Sequence, residues 1–131
     1  MDCRVNQDVW LAKAERCMSS AQALLELDDP DSACNRAYYA MFNAARAALF
    51  AAGETELAMA KTHNGLVSAF GQHIAKSGKV APELGRVFAQ EGHRRLLSDY
   101  HGDGLSAEEA DEAIRNAARF VAAVKAWLAA L

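Results

Sequence analysis

Cysteine and proline are scarce in this 131-residue sequence, and each shortage argues against a class of protein. The three cysteines, Cys3, Cys17 and Cys34, are odd in number and form no CxxC pair, which argues against a disulfide framework and against a zinc site. The two prolines, Pro30 and Pro82, fall between helical patterns and are interpreted as punctuation between helices.

Long apolar runs and chemical motifs are also missing. No run approaches the ~18 residues that a membrane-spanning helix needs, and the N-terminal segment MDCRVNQDVW has no apolar signal-peptide core. The net charge of −3 gives no overall electrostatic footprint for nucleic acid, so any RNA binding would have to be local. There is no HExxH motif, no His/Cys cluster and no glycine-rich loop after a strand. We therefore expect a soluble, cytoplasmic protein with no membrane contact, no metal ion and no cofactor.

Alanine is the residue that the sequence has in abundance, and alanine favours helix because it loses no side-chain entropy there. Apolar residues recur at helical spacing, and we find no strand-period run, internal repeat or linker. The pattern predicts one domain over residues 1–131 with an all-α fold, an up-and-down bundle of four to five helices. In SAEE, Ser106 and Glu109 predict a capping box. The expected helices cover residues of about 6–27, 30–52, 62–77, 82–100 and 106–131.

The second expected helix has two faces of different character. Its apolar face contains Tyr38, Met41, Phe42, Ala45, Ala48 and Leu49. A polar stripe on the opposite face contains Arg36, Tyr39, Asn43 and Arg46.

A cluster of basic and aromatic residues, HRRLLSDYHGDG (93–104), stands where the fourth expected helix ends. Arg95 falls on the same helix face as Leu84 and Phe88, and Asp99 lies one turn further along that face. One interpretation is therefore an i,i+4 salt bridge between Arg95 and Asp99 that closes one end of the bundle.

The other interpretation of this cluster is metal-free RNA cleavage. That chemistry needs a base for the ribose 2′-hydroxyl and a cation for the charge that develops on the phosphate. Histidine and arginine suit these two roles. Arg95 and His101 are separated by five residues, and Arg94 lies seven positions before His101.

The other histidines and the paired tyrosines have simpler interpretations. His63 heads an apolar stripe, so we expect a core or capping histidine, and His73 and His93 are expected to be solvated surface groups. For Tyr38 and Tyr39 the simpler interpretation is a role in packing.

Four segments taken together resemble a known family. They are, in order, ACNRAYYAMFNAARAAL, KTHNGLVSAF, RRLLSDY and EEADEAIRNAARFVAAV. This combination looks like the HEPN (higher eukaryotes and prokaryotes nucleotide-binding) domain, and is most similar to small stand-alone prokaryotic HEPN proteins. The resemblance covers nearly the whole chain and implies a bundle of four or five helices, usually a homodimer.

The resemblance also implies a function. Many members are encoded beside a minimal nucleotidyltransferase and act with it as a toxin–antitoxin pair. Many are metal-independent ribonucleases with an R-x4-6-H motif just before the last helix. Arg95-x5-His101 and Arg94-x6-His101 both fit that spacing. The resemblance thus implies Arg95 and His101 as catalytic residues, RNA or a nucleotide as ligand, and a nucleotidyltransferase antitoxin as partner.

The motif departs from the common catalytic form in two places. Leu96 follows Arg95 where a polar residue is usual, and Tyr100 precedes His101 instead of a tyrosine following it. In the branch that this chain resembles, the usual sequence motif is R…ADY. Arg95, Asp99 and Tyr100 match this motif, which requires no histidine. The resemblance therefore leaves a second function open. In it, the protein is a non-catalytic module that binds a nucleotide or a nucleotidyltransferase partner through the same cleft, the one that contains Arg95.

Further family positions would line that cleft. The resemblance implies an RNA- or nucleotide-binding set of Arg36, Tyr39, His63, Arg94, Asp99 and Tyr100. Arg36 and Tyr39 suit a phosphate contact and base stacking, respectively. The alternative is that these groups form a buried polar network that holds three helices together.

Overall fold

The chain folds into helices connected by short turns. The computed structural model describes residues 3–100 and 104–131, and side chains from residue 5 onward. Its helices are α1 (Cys3–Glu26), α2 (Pro30–Ala51), α3 (Thr55–Ala58), α4 (His63–Phe70), α5 (Glu83–Tyr100) and α6 (Ala107–Ala129). The predicted all-α bundle is confirmed, and the five expected helices correspond to α1, α2, α4, α5 and α6. No described helix is long and apolar enough to cross a membrane.

Two details differ from the expected helix limits. Helix α1 begins at Cys3, earlier than the predicted residue 6. Helix α4 passes at Gly71–Ala75 into a π-helical segment, which the apolar periodicity did not predict. The short connection between α2 and α4 contains one further helical turn, α3.

Side chains that cap helix ends fix where two helices start. The Asp29 carboxylate accepts a hydrogen bond from the Ser32 N–H, and Pro30 occupies the first turn of α2. The predicted capping box of α6 is confirmed, because Ser106 Oγ accepts from the Glu109 N–H and Glu109 Oε1 accepts from the Ser106 N–H. These hydrogen bonds from Ser106 lower the pKa of the Glu109 carboxyl.

Helix α2 is the central element and contacts every other helix. The apolar face predicted for it is buried, and the polar stripe Arg36, Tyr39, Asn43 and Arg46 is half-buried. Neighbouring helices approach α2 closely because many of its buried side chains are methyl groups. The fully buried alanines of α2 are Ala33, Ala37, Ala40, Ala44, Ala45, Ala47 and Ala48.

Three phenylalanines join α4, α5 and α6 in the core. Phe70, Phe88 and Phe120 are all fully buried, with ring centroids 4.7–5.8 Å apart. Such a trio adds edge and offset ring contacts to the hydrophobic burial. It fixes α5 against the bundle, so the residues one and two turns beyond Phe88 have defined positions.

Arg46 of the polar stripe holds the segment before α4. Its Nε donates to the Ala58 carbonyl at 2.7 Å, and Nη2 donates to the Ala60 carbonyl at 3.4 Å. The guanidinium lies over the rings of Trp10 and Phe42, at 4.6 and 4.8 Å from their centroids. Arg46 therefore ties α1, α2 and α3 together just ahead of the start of α4.

Asp31 at the start of α2 binds residues on both sides of the α5–α6 connection. Its Oδ1 accepts from Ser98 Oγ at 2.9 Å and from the Leu105 N–H at 2.8 Å. We call this arrangement the Asp31 clamp. The predicted catalytic residue His101 lies between these two contacts along the chain and outside the described residues.

Candidate functional site

His63, the first residue of α4, lies between two tyrosine hydroxyls of α2. Its Nδ1 is 3.1 Å from Tyr38 Oη, and its Nε2 is 3.4 Å from Tyr39 Oη. A neutral imidazole has one donor and one acceptor nitrogen, so one tyrosine donates to the ring while the other accepts from it. The expectation of a satisfied histidine on the core side is thus confirmed, with both partners on α2.

The KTHNG segment holds His63 through a tight helix cap. Thr62 is the N-cap of α4, and its Oγ1 accepts from the Gly65 N–H at 3.0 Å. A Cβ at position 65 would lie 2.7 Å from Thr62 Oγ1, closer than any real contact, so this cap geometry requires glycine there. The cap orients the first turn of α4 so that the imidazole points toward α2.

The imidazole of His63 is disfavoured in its charged form. Burial lowers the pKa of His63, and the positive charges of Arg95 and Arg46 lower that pKa further. The ordinary histidine pKa is already below 7, so His63 is neutral at pH 7.

Arg95 projects from α5 toward Tyr38, as its helix face predicted. The Arg95 guanidinium lies 5.3 Å from the centroid of the Tyr38 ring, and the Arg95 side chain is only 14% exposed. Nη1 donates to Asp99 Oδ2 at 2.9 Å, which confirms the predicted i,i+4 salt bridge. Arg95 Nε is buried and has no hydrogen-bond partner among the described residues.

Tyr38 is the residue on which these contacts converge. Its ring also packs against Phe88 at 5.7 Å between centroids, and burial raises the pKa of Tyr38 to about 12. Gly92 allows α5 to come this close, because a Cβ there would lie 3.1 Å from Tyr38 Cε1. Tyr38 was expected only as a packing residue, and the structure gives it polar contacts as well.

A small pocket opens beside this cluster. It encloses about 160 Å³, and its polar lining comes from Tyr38, His63, Asn64, His93 and Arg95. Pockets for whole drug-sized ligands are larger, about 300–1,000 Å³. The pocket therefore suits a phosphate or part of a sugar, with a base remaining outside it.

Arg36 and Tyr39 extend the cluster along α2. The Arg36 guanidinium lies 4.9 Å from the centroid of the Tyr39 ring, and its Nη2 donates to Asn35 Oδ1 at 3.0 Å. Since Tyr39 also contacts His63, a continuous series of contacts runs through α2, α4 and α5. In order, its members are Arg36, Tyr39, His63, Tyr38, Arg95 and Asp99. We call this series the Tyr38 cluster.

Two other predicted binding residues lie elsewhere. Arg94 turns toward α6, where Nη1 donates to the Glu109 carbonyl at 2.6 Å and Nη2 lies 3.5 Å from Glu112 Oε1. Arg94 Nε lies 3.4 Å from Oε1 of the buried Glu91, although that carboxylate oxygen has no hydrogen bond. Arg94 thus joins α5 to α6 and is not part of the Tyr38 cluster. Tyr100 is 84% exposed at the end of α5.

Comparison with known proteins identifies the family. The pattern of the HEPN domain matches residues 7–127, nearly the whole chain. The chain belongs to the HEPN family.

Relatives of this HEPN domain are found in bacteria and archaea. A UPF0332 protein of Gloeobacter violaceus is 34% identical over 125 residues, which cover 94% of this chain and 96% of that protein. A UPF0332 protein of Thermotoga maritima is 35% identical over 120 residues, 90% of this chain and 87% of that protein. A Methanocaldococcus jannaschii protein named "Putative toxin MJ0605" is 32% identical over 124 residues, 95% of this chain and 90% of that protein.

Sequence reasoning missed three residues that line the pocket of this HEPN domain. Tyr38 was assigned to packing and Asn64 was not considered, whereas His93 is exposed as expected and also borders the pocket. The position of Asn64 directly after His63 in KTHNG was an available signal. His93 gave no such signal, because it lies on an exposed helix face. Such a residue lines a pocket only when a neighbouring helix forms the opposite wall. Among the described residues, no group of three His, Cys, Asp or Glu side chains is arranged to hold a metal ion.

Proposed function

We propose that this HEPN protein is the toxin-like component of a pair with a nucleotidyltransferase antitoxin, and that it cleaves RNA endonucleolytically without a metal. In this proposal the protein acts as a homodimer. Arg95 stabilises the phosphate charge, and His101 is the general base for the ribose 2′-hydroxyl. The relative named as a toxin supports the toxin-like role.

The observation that carries the proposal is the setting of Arg95. Its side chain is largely desolvated, lines a phosphate-sized pocket and has one described hydrogen-bond acceptor, Asp99. Guanidinium has five donors in a planar fork. Donors beyond the one given to Asp99 therefore serve phosphate oxygens, and a low-dielectric surrounding strengthens that interaction.

The remaining members of the cluster have supporting roles. Neutral His63 adds no second charge beside Arg95, and its bonds to the two tyrosines keep the Tyr38 ring aligned under the guanidinium. Arg36 and Tyr39 would contact the phosphate and base of a neighbouring nucleotide.

The Arg95–Asp99 ion pair favours a second candidate function. A carboxylate 2.9 Å from the guanidinium neutralises part of its charge in the absence of a ligand. A non-catalytic HEPN module that binds a nucleotide or a nucleotidyltransferase partner through this cleft needs only a modest attraction for phosphate, and requires no base at position 101.

Incubation of the protein with total RNA and a tRNA pool, in the presence of EDTA, separates the two functions. Wild type is compared with Arg95→Ala and His101→Ala, and with Arg86→Ala as a matched control on the exposed face of α5. Circular dichroism and light scattering verify that each variant is folded and report its oligomeric state. Cleavage by wild type and by Arg86→Ala, but by neither of the other two variants, supports the ribonuclease. Cleavage that persists in both Arg95→Ala and His101→Ala refutes the mechanism. A folded wild type that cleaves nothing favours the binding module.

A further inference from the structure

A second polar surface lies beside the Tyr38 cluster, between α1 and α2. It is a groove of about 420 Å³ lined by Lys13, Arg16, Cys17, Ser20, Arg36 and Asn43. We call it the α1–α2 groove. The α1 residues recur at spacings of three and four, so they share one face of that helix. Asn43 Nδ2 lies 3.6 Å from Cys17 Sγ and closes the floor between the two helices.

The cations of this groove differ from most arginines of α5 and α6, where only Arg86 has no carboxylate partner among the described residues. On those helices Arg94, Arg95, Arg115 and Arg119 each pair with a carboxylate. In the part of the chain that the structure describes, no carboxylate pairs with Lys13, Arg16 or Arg36. Although the protein has a net charge of −3, this groove therefore presents three positive charges that no carboxylate of the described residues neutralises.

The groove is continuous with the Tyr38 cluster. Arg36 lines the groove, and its guanidinium lies over the ring of Tyr39, whose hydroxyl contacts His63 at the pocket. A chain whose phosphate binds Arg95 can thus continue along the protein surface to Arg36 and then to Arg16 and Lys13. Lys13 to Ser20 spans about 10 Å of α1, which is longer than a single nucleotide.

We infer that the α1–α2 groove binds the phosphate backbone of a single-stranded RNA segment that flanks the nucleotide held at Arg95. The inference rests on the proposed action on RNA and adds the site that holds the substrate outside the pocket. Three lysine or arginine side chains supply charge to phosphates, and Ser20 and Asn43 supply neutral donors to phosphate or ribose oxygens. An acidic protein segment could also bind the three positive charges. It would not, however, account for the continuity of the groove, through Tyr39, with a phosphate-sized pocket.

Binding is measured by fluorescence anisotropy with a labelled 12-nucleotide single strand that is 2′-O-methylated throughout. This probe lacks the 2′-hydroxyl nucleophile, so its binding is independent of cleavage. The variant is Lys13→Gln/Arg16→Gln, and both side chains are exposed. The matched control is Lys76→Gln/Arg86→Gln, which changes the charge equally at two exposed positions away from the groove. Unlabelled poly-glutamate of similar length serves as a competitor.

The salt dependence gives the expected magnitude. Each phosphate contact to a single strand contributes about 0.7 to the slope of log K against log salt, so loss of two contacts lowers the slope by about 1.4. Extrapolated from 1 M to 0.1 M salt, that change weakens binding about 25-fold. We expect this loss in the groove variant and wild-type affinity in the control.

The outcomes separate this inference from the proposed ribonuclease. If wild type binds the probe, only the groove variant loses affinity and no RNA is cleaved, the groove stands and the cleavage proposal fails. If wild type cleaves RNA but both double variants bind the probe as tightly as wild type does, the groove inference is overturned and cleavage stands. Absence of wild-type binding, or displacement of the probe by an equal concentration of poly-glutamate, also overturns the groove as an RNA site.

Discussion

Removal of the Asp31 carboxylate should cost the protein a large part of its stability. Asp31 Oδ1 accepts hydrogen bonds from Ser98 at the end of α5 and from Leu105 just before α6. The Asp31→Ala change breaks both bonds and leaves two half-buried donors, the Ser98 O–H and the Leu105 N–H, without this acceptor. It also removes a negative charge from the first turn of α2, where the helix dipole favours one.

The size of the effect follows from these contacts. A hydrogen bond to a charged group contributes about 1.5–3 kcal/mol, and the half-buried setting places each of these two near the lower limit. We therefore expect Asp31→Ala to lower the free energy of unfolding by about 3 kcal/mol. This is a substantial share of the ~5–15 kcal/mol typical of a domain, and corresponds to a Tm lower by about 10 °C for a chain of this length.

Urea unfolding followed by circular dichroism measures the loss. Asp8→Ala is the matched control, because Asp8 is exposed on α1, and it should change stability by less than about 0.5 kcal/mol. In a double-mutant cycle, Asp31→Ala and Ser98→Ala should show a coupling energy of about 1 kcal/mol. Additive effects in that cycle, or an Asp31→Ala protein as stable as wild type, would refute the clamp.

Two further predictions concern the Tyr38 cluster. Gly92→Ala should destabilise the protein by about 1–2 kcal/mol, because the new methyl would press on the Tyr38 ring; Gly71→Ala, with open space at its Cβ, should be neutral or stabilising by up to ~1 kcal/mol in urea unfolding. For His63, NMR titration of the imidazole should give a pKa below its ordinary value of 6.5, and Arg95→Gln should raise that pKa by removing a nearby positive charge. As pH falls, His63 then takes up a proton at a higher pH in the unfolded chain than in the folded one, so its contribution makes the free energy of unfolding fall as pH drops below about 6.5. A wild-type pKa of 6.5 or higher contradicts this account.

Periodicity was sufficient to predict much of the fold. The apolar stripes located all five long helices, and the SAEE segment located the cap of α6 at Ser106. Spacing within one helix also predicted the contact between Arg95 and Asp99, because residues four apart on a helix are neighbours. The π-helical segment at Gly71–Ala75 had no such signal, since its hydrogen bonds shift by one residue without any change in the apolar pattern.

Contacts between distant segments were not predictable in the same way. Arg94 and Arg95 are adjacent in sequence, and the family resemblance assigned both of them to the ligand. Helix geometry turns them about 100° apart, so one meets Tyr38 of α2 and the other meets α6. Which helix stands opposite each face depends on how the whole bundle packs. The same limit hid the Asp31 clamp, whose partners lie 67 and 74 residues away in sequence.

The salt bridge and the phosphate site that the sequence offered as alternatives at Arg95 are compatible in the folded protein. The Asp99 side chain is 46% exposed, whereas that of Arg95 is 14% exposed. A partner as exposed as Asp99 holds its ion pair weakly, by about 0–1 kcal/mol, and can turn to water at little cost when a phosphate arrives. Arg95 is far less free to turn to water, because its side chain is largely buried and its guanidinium lies against the Tyr38 ring. In the proposed function, the ion pair keeps the guanidinium oriented and partly neutralised until a phosphate replaces Asp99. We therefore expect Asp99→Asn to tighten binding of the 2′-O-methylated strand, and an unchanged affinity would contradict this exchange.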